Sequence, residues 1–393
     1  MSYFGICNGG GGPASNLNGP ESTVFHTCSI DRMQQFLENG AASTCGVREE
    51  LDNNHPDVWI LDEPNTIPIS TPFELRGDAS DPENDPMSYV WEQVDSSPSS
   101  APLGSPIGNS PAFRTFPPSA NKTRTFPRLS NILSGTDGRE ERLPTYSRDL
   151  NFAFTVRDNN PIGGGLNWET ITLQAVDVAG PFVVTAPITL TDVGVNEELV
   201  VEWDVANTDG PEVDCQFVDI YFSADNGQTF PTLLIAATEN DGSAVVRMPN
   251  NITTAGKVKV KGHNNVFFNI NRNNIRVTEP SQPSFFINAD DTSFDVCLPD
   301  AVATNIVGTS FLGYAEEVTL EISGLPDGAV HTFSQNPMPP DGISTLDIDM
   351  SGVTDGGDFQ VQVRGIAAGA DTIVQNILIS ATGTDLDLSL IHI

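Results

Sequence analysis

Carboxylates at short spacing are the residues in this chain best suited to chemistry. Asp78, Asp81, Glu83 and Asp85 fall within the string G-D-A-S-D-P-E-N-D-P at residues 77–86, just ahead of S-Y-V-W-E-Q-V at 88–94. Hard oxygen donors at this spacing suit calcium, which takes roughly six to eight of them. Asp158, within the string V-R-D-N at 156–159, is a further candidate able to approach the same end of a β-sandwich. The same string also reads as an Asx-rich turn that hydrogen-bonds its own backbone. The sequence leaves both readings open.

Zinc chemistry finds no such support. The five histidines are His26, His55, His263, His331 and His392, and no two are four residues apart. A helical pair presenting two imidazoles to one zinc therefore cannot be built, and no peptide cleavage is expected of this chain. The glycine run at 9–12 lacks the Lys-Ser/Thr of a phosphate-binding loop. It reads as a plain loop, as does the run at 163–165. Arg114, Arg124, Arg128, Arg139, Arg142 and Arg148 form the one basic neighbourhood. Local surface ion pairs worth little each are expected there, with docking onto acidic surface as the other possibility.

The chain has 393 residues and a net charge of -34, from 52 acidic and 18 basic side chains. That length allows several domains, each of roughly 100–150 residues. A surface so acidic repels phosphate backbones, which argues against nucleic-acid binding, and it suits a soluble exported protein. No apolar run approaches the roughly 18 residues of a membrane span. The first residues lack the basic and apolar regions of a signal peptide, so an export signal is expected to lie outside this chain. Five cysteines stand at 7, 28, 45, 215 and 297. Cys215 and Cys297 read as buried free thiols in different domains, and no pairing of Cys28, Cys215 or Cys297 follows from the sequence.

The elements that must position these residues are almost all strands. One helix is expected from Ser29, with Ile30, Met33, Phe36 and Leu37 at helical spacing and Gly40 as a stop. Beyond Val47, residues 68–77 and 88–94 read as extended. Leu150, Phe152, Phe154 and Val156 alternate with polar or small residues, the period of a half-buried strand. Residues 95–149 read as a long surface loop. Leu199, Val201 and Trp203 alternate, as do Val218, Ile220 and Phe222, then Val258 and Val260. A linker is expected at 279–283, followed by alternation at Val318, Leu320 and Ile322 and at Phe359, Val361 and Val363. The turns G-L-P-D-G at 324–328 and P-P-D-G at 339–342 punctuate this last unit. The fold class is mostly β, as tandem Ig-like sandwiches.

Several strings resemble secreted bacterial reprolysin-like zinc proteases of the metzincin clan. They are Met1-Ser2-Tyr3 with Gly5-Ile6-Cys7, Phe25-His26-Thr27, Trp91-Glu92-Gln93, Arg124-Thr125-Phe126-Pro127-Arg128-Leu129, and residues 152–157. The resemblance covers residues 1 to about 278. It implies that residues 1–47 are the end of a catalytic domain, with Met1 and Tyr3 left from the turn beneath the zinc and the helix closing the unit. It also implies a Cys7–Cys45 disulfide, which export would permit. Residues 48–178 then resemble a PKD- or cadherin-like Ig module, in which Asp78, Asp81, Glu83, Asp85 and Asp158 would bind calcium. Residues 179–279 and 284–383 resemble further Ig-like and Ig- or fibronectin-like sandwiches. Ser223-Ala-Asp225-Asn-Gly227-Gln-Thr229-Phe230 resembles an Asp-box, a structural hairpin turn. Residues 388–393, L-S-L-I-H-I, resemble the translation of a sequencing adapter, so 384–393 is set aside from fold reasoning.

The function this implies is that of a non-catalytic C-terminal fragment of a secreted zinc endopeptidase, with zinc held only by the parent. The sandwiches would attach it to a cell surface or present polymeric protein or glycan substrates. The alternative is a stand-alone extracellular adhesion or carbohydrate-binding array.

Overall fold

In the computed structural model the described residues are 25–40, 43, 51–63, 65–95, 101–102, 104–136, 138, 140–280 and 282–383. Met1, Tyr3, Cys7, Cys45 and residues 384–393 lie outside them. The chain divides into two compact units. The first comprises Met1–Phe182, Ala206–Cys215 and Asn264–Phe268; the second comprises Val183–Val205, Gln216–His263 and Asn269–Ile393. Three two-sheet sandwiches follow one another along the chain.

In the first sandwich, helix α1 (Thr27–Glu38) precedes β1 (Asp57–Ile60), β2 (Thr66–Pro68), β3 (Phe73–Ser80), β4 (Met87–Gln93) and β5 (Thr123–Phe126). The short helix α2 (Leu129–Ser134), β6 (Arg148–Asp158) and β7 (Leu166–Val176) complete it. The sheets run β1-β3-β5 and β2-β7-β6-β4. Alternation places one side chain in two on the inner face, and aromatic residues fill the space between. Phe126 lies 4.6 Å from Phe152 across the two sheets, and Phe73 stacks on Phe126 at 5.0 Å. Phe113 joins the same cluster, edge-on to Phe73 and Phe126.

The surface loop expected at 95–149 is therefore corrected: it supplies β5, and its Phe113 and Phe126 are core. The signal is hidden because Ser, Pro and Arg surround each of these aromatics. Its arginines also differ from expectation. Glu141 is fully buried and accepts from Arg124 at 2.9 Å, while Arg148 meets Asp95 at 3.6 Å with both side chains buried. Such pairs sit out of water, where losing one partner costs about 3–5 kcal/mol.

The second sandwich contains β8 (Val183–Ala186), β9 (Thr191–Gly194), β10 (Glu198–Asp204), β11 (Phe217–Ser223), β12 (Thr232–Glu239), β13 (Ser243–Arg247), β14 (Thr253–Gly262), β15 (Phe268–Ile270) and β16 (Ile275–Thr278). Its sheets run β13-β10-β8 and β12-β11-β14-β16-β9, with β15 beside β14. The expected alternation holds in β10, where Leu199, Val201 and Trp203 are buried between exposed neighbours.

The third contains β17 (Ser284–Ala289), β18 (Ser293–Cys297), β19 (Val302–Phe311), β20 (Thr319–Ser323), β21 (Val330–Phe333), β22 (Ile343–Asp349), β23 (Gly357–Ile366) and β24 (Ile373–Thr382). These form sheets β17-β19-β22-β21 and β18-β24-β23-β20. Cys215 is buried as expected, but Cys297 is exposed at the end of edge strand β18, a second correction; neither is in a disulfide.

Among the described residues no helix is long and apolar enough to cross a membrane.

Candidate functional site

Two polar clusters stand on the first sandwich. The first gathers the carboxylates picked out in the sequence. Asp81 Oδ1 accepts the backbone N–H groups of Glu83 at 3.1 Å and Asp85 at 2.8 Å, the self-bonded Asx turn. Its Oδ2 is buried and has no hydrogen-bond partner among the described residues. Asp85 Oδ2 accepts from Asn160 Nδ2 at 2.8 Å, and Glu83 Oε1 accepts from Asn54 Nδ2 at 2.5 Å.

Asp158, at the end of β6, accepts from Gly165 N at 2.8 Å and from Asn53 Nδ2 at 3.1 Å. A Cβ at Gly165 would lie 2.6 Å from Asp158 Oδ2, so a larger residue there would displace the carboxylate. Asn160 Nδ2 also donates to Asn53 Oδ1 at 3.2 Å, joining the Asp85 and Asp158 sides. The structure thus links Asp85 to Asp158 through Asn53 and Asn160. Asp78 is engaged elsewhere: in β3 its carboxylate pairs with Lys122, whose hydrogen bond holds its pKa below the ordinary value.

Asn53, Asn54 and Asn160 went unread in the sequence. The signal was present as two D-N-N strings, at 52–54 and 158–160. Asp81, Glu83, Asp85 and Asp158 receive only amide and backbone N–H donors, with no lysine or arginine among their partners in the described residues. As they stand, no three His, Cys, Asp or Glu side chains among the described residues are grouped to hold a metal ion.

The second cluster is the seat of α1. Glu92 points from β4 to the face of its sheet opposite the aromatic core and is fully buried. Its Oε2 accepts from Thr27 N at 2.8 Å and also from the Thr27 hydroxyl, while Thr155 Oγ1 lies 3.5 Å away. The carboxylate therefore meets the first turn of α1, where backbone N–H groups are unpaired and the helix dipole favours negative charge. Arg157 closes the seat by donating to Phe25 O at 3.1 Å. His26 is the N-cap. Its Nδ1 accepts from Cys28 N at 3.3 Å and its Nε2 donates to Gln93 O at 3.1 Å, so the neutral ring is satisfied on both nitrogens. Burial holds its pKa below 6.5, against the pull of Glu92.

This seat explains why β6 is buried on both faces rather than half-buried. Thr155 and Ala153 turn outward from the core yet are covered. It also corrects the expected helix face. Of the apolar stripe only Ile30 is buried; Met33 is 41% exposed and Phe36 55%, and Phe25 beside the cap is 62% exposed.

The Asp-box-like string forms the β11–β12 turn. Asp225 Oδ1 accepts from Thr229 N at 2.9 Å and Ser223 Oγ at 2.6 Å, and Gly227 takes φ 80°.

No family model and no curated protein matches the chain. Solved structures similar to it include a nucleoside hydrolase-related hypothetical protein from Saccharophagus degradans that is associated with carbohydrate metabolism. The identity is 17%, over 31% of this chain and 26% of that one, with a TM-score of 0.20. The four N-terminal Ig domains of Dscam1 isoform 6.9 are 15% identical over 84% of this chain and 79% of that one, TM-score 0.23. Fibronectin(III)-like modules of CbhA from Clostridium thermocellum are 10% identical over 52% and 96%, TM-score 0.19. The latter two are Ig and fibronectin(III)-like domains, and none of the three carries an argument about function or about metzincin ancestry.

Proposed function

We propose that this chain is the non-catalytic scaffold of an exported zinc endopeptidase, a tandem array of β-sandwiches that holds a preceding catalytic unit at a cell surface or polymeric substrate. The observation that carries this is the division of labour within α1. Its N-terminal turn is built into the first sandwich through Glu92, while Phe25, Met33 and Phe36 stand exposed. A helix anchored by its polar end with a bare apolar stripe is suited to receive another folded unit. Under this reading zinc belongs to that preceding unit, as the resemblance to metzincin proteases implies. Purified chain is expected to show no chelator-sensitive cleavage of casein; such cleavage by pure material would overturn the reading.

Within this function, calcium stiffens the end of the first sandwich where β6 stops at Asp158. Asp81, Glu83 and Asp85 share one turn without a cationic partner among the described residues, Asp158 is joined to it through Asn53 and Asn160, and Asp81 Oδ2 is buried and unsatisfied. Turning the amides of Asn53 and Asn160 would exchange N–H donors for oxygen ligands, beside Asp85 and Asp158. Millimolar calcium is expected to raise the melting temperature of the first unit and to lose this effect in Asp85→Ala. An unchanged melting temperature in the wild type removes calcium from the account.

A further inference from the structure

The second unit contains a contact between its two sandwiches that the scaffold reading does not use. β12 is an edge strand, and exposed backbone carbonyls on such an edge invite unwanted pairing. Here two of them are covered by side-chain amides of the following sandwich. Gln360 Nε2 in β23 donates to Ala236 O at 2.6 Å, and Asn376 Nδ2 in β24 donates to Leu234 O at 2.8 Å. β23 and β24 are neighbours in one sheet, and Asp358 lies two residues from Gln360, on the same face.

A histidine stands at the end of this row. His263 follows β14, and its Nδ1 lies 3.0 and 3.1 Å from the two carboxylate oxygens of Asp219 in β11. Asp219 is itself buried and fixed, accepting from Ala237 N at 2.8 Å where the β11–β12 register shifts. On the other side of the ring, His263 Nε2 faces Asp358 Oδ2 at 3.7 Å.

We propose that His263 is a pH-responsive clamp between the second and third sandwiches, its imidazolium bridging Asp219 of its own sandwich to Asp358 of the next. The two arms behave differently on deprotonation. Asp219 selects the tautomer with hydrogen on Nδ1, so the Asp219 bond survives in the neutral ring. Nε2 then turns a lone pair toward the Asp358 carboxylate, and attraction becomes repulsion. The charged groups facing the ring are Asp219, Asp358 and Lys261, the last opposing protonation. The hydrogen bond from Asp219 outweighs desolvation and raises the His263 pKa above 6.5. A raised value means the clamp is fully present below 6.5 and is lost as pH rises through the folded value. The Gln360 and Asn376 amides carry no charge and hold at either pH. Deprotonation therefore loosens the joint without releasing it.

The test uses the full chain with ¹³C-labelled histidine, the His263 signal being assigned with His263→Gln. The expected result is a wild-type pKa above 6.5 that falls by about half a unit in Asp358→Asn, the scale of a partly exposed ion pair. Small-angle scattering should show the wild type expanding between pH 6 and pH 9, with no such step in Asp358→Asn. Gln360→Ala, which breaks a neutral arm, should expand the chain at both pH values and keep the step. Asp358 and Gln360 are surface residues, so circular dichroism of each variant should match the wild type. An identical His263 titration in wild type and Asp358→Asn overturns the proposal, as does a wild-type radius that ignores pH.

Discussion

Replacing Glu92 with glutamine keeps the shape of the side chain and removes its charge, which isolates what the carboxylate does for α1. Two strong bonds end on Oε2, from the backbone N–H and the hydroxyl of Thr27. Bonds to an ionised acceptor contribute about 1.5–3 kcal/mol against about 1 for neutral pairs, so neutralising the acceptor loses roughly 1 kcal/mol per bond. The dipole of the helix N-terminus adds about 0.5 kcal/mol. Arg157, whose pKa burial depresses while Glu92 supports it, is left with less compensation. Against these losses stands the desolvation of the carboxylate, of which glutamine, itself a buried polar group, relieves only part. Because Oε2 is met by both the first-turn N–H and the hydroxyl of Thr27, the losses are expected to win by about 1 kcal/mol. For a unit of this size that lowers the melting temperature by about 2–4 °C. Calorimetry of the whole chain, with tryptophan fluorescence to assign transitions, reads this directly. Trp59, Trp91 and Trp168 report on the first unit and Trp203 on the second. Thr27→Ala should cost about 1 kcal/mol, and the double variant should show coupling of about 1 kcal/mol. A melting temperature that is unchanged or raised in Glu92→Gln would mean that desolvation dominates and that the seat does not hold the helix.

His26 and Asp225 respond to acid, each in its own pH range. Because burial lowers the His26 pKa, its contribution is present above 6.5 and is lost as pH falls, when the unfolded chain takes the proton first. The first unit should therefore lose stability as pH falls below 6.5, and His26→Gln should flatten that slope; an equal slope in the variant would refute the assignment. At Asp225, desolvation pushes the pKa up, but hydrogen bonds from Ser223 and Thr229 prevail and bring it to about 2. Carboxyl NMR should show Asp225 ionised through pH 3, with its share of turn stability present above 3.8 and lost toward pH 2. Titration of Asp225 near 3.8 would contradict the turn geometry.

The β architecture was legible because alternation is local: Leu199, Val201 and Trp203 declare their buried face without knowledge of what covers it. The hairpin at 223–230 was legible for the same reason, as its bonds stay within the string: Ser223 and Thr229 donate to Asp225, and Gly227 N donates to Ser223. What escaped the sequence depended on distant partners. Phe113 and Phe126 became core because β3 and β6 meet them, which a Ser- and Pro-rich string cannot announce. Thr155 reads as solvent-facing by period, yet it and Glu92 are buried because Thr27, more than sixty residues away, brings a helix onto them. The carboxylate cluster was half legible. Its acidic members stood out, while the asparagines that join Asp85 to Asp158 looked like ordinary loop residues.

The central claim is that this array serves a catalytic unit that precedes it. A long sequencing read across the locus, extended upstream of the Met1 codon, tests it most directly. The account predicts an in-frame continuation encoding H-E-x-x-H-x-x-G-x-x-H. A stop codon and ribosome-binding site just ahead of Met1 would contradict it and leave a stand-alone adhesive or carbohydrate-binding array in its place.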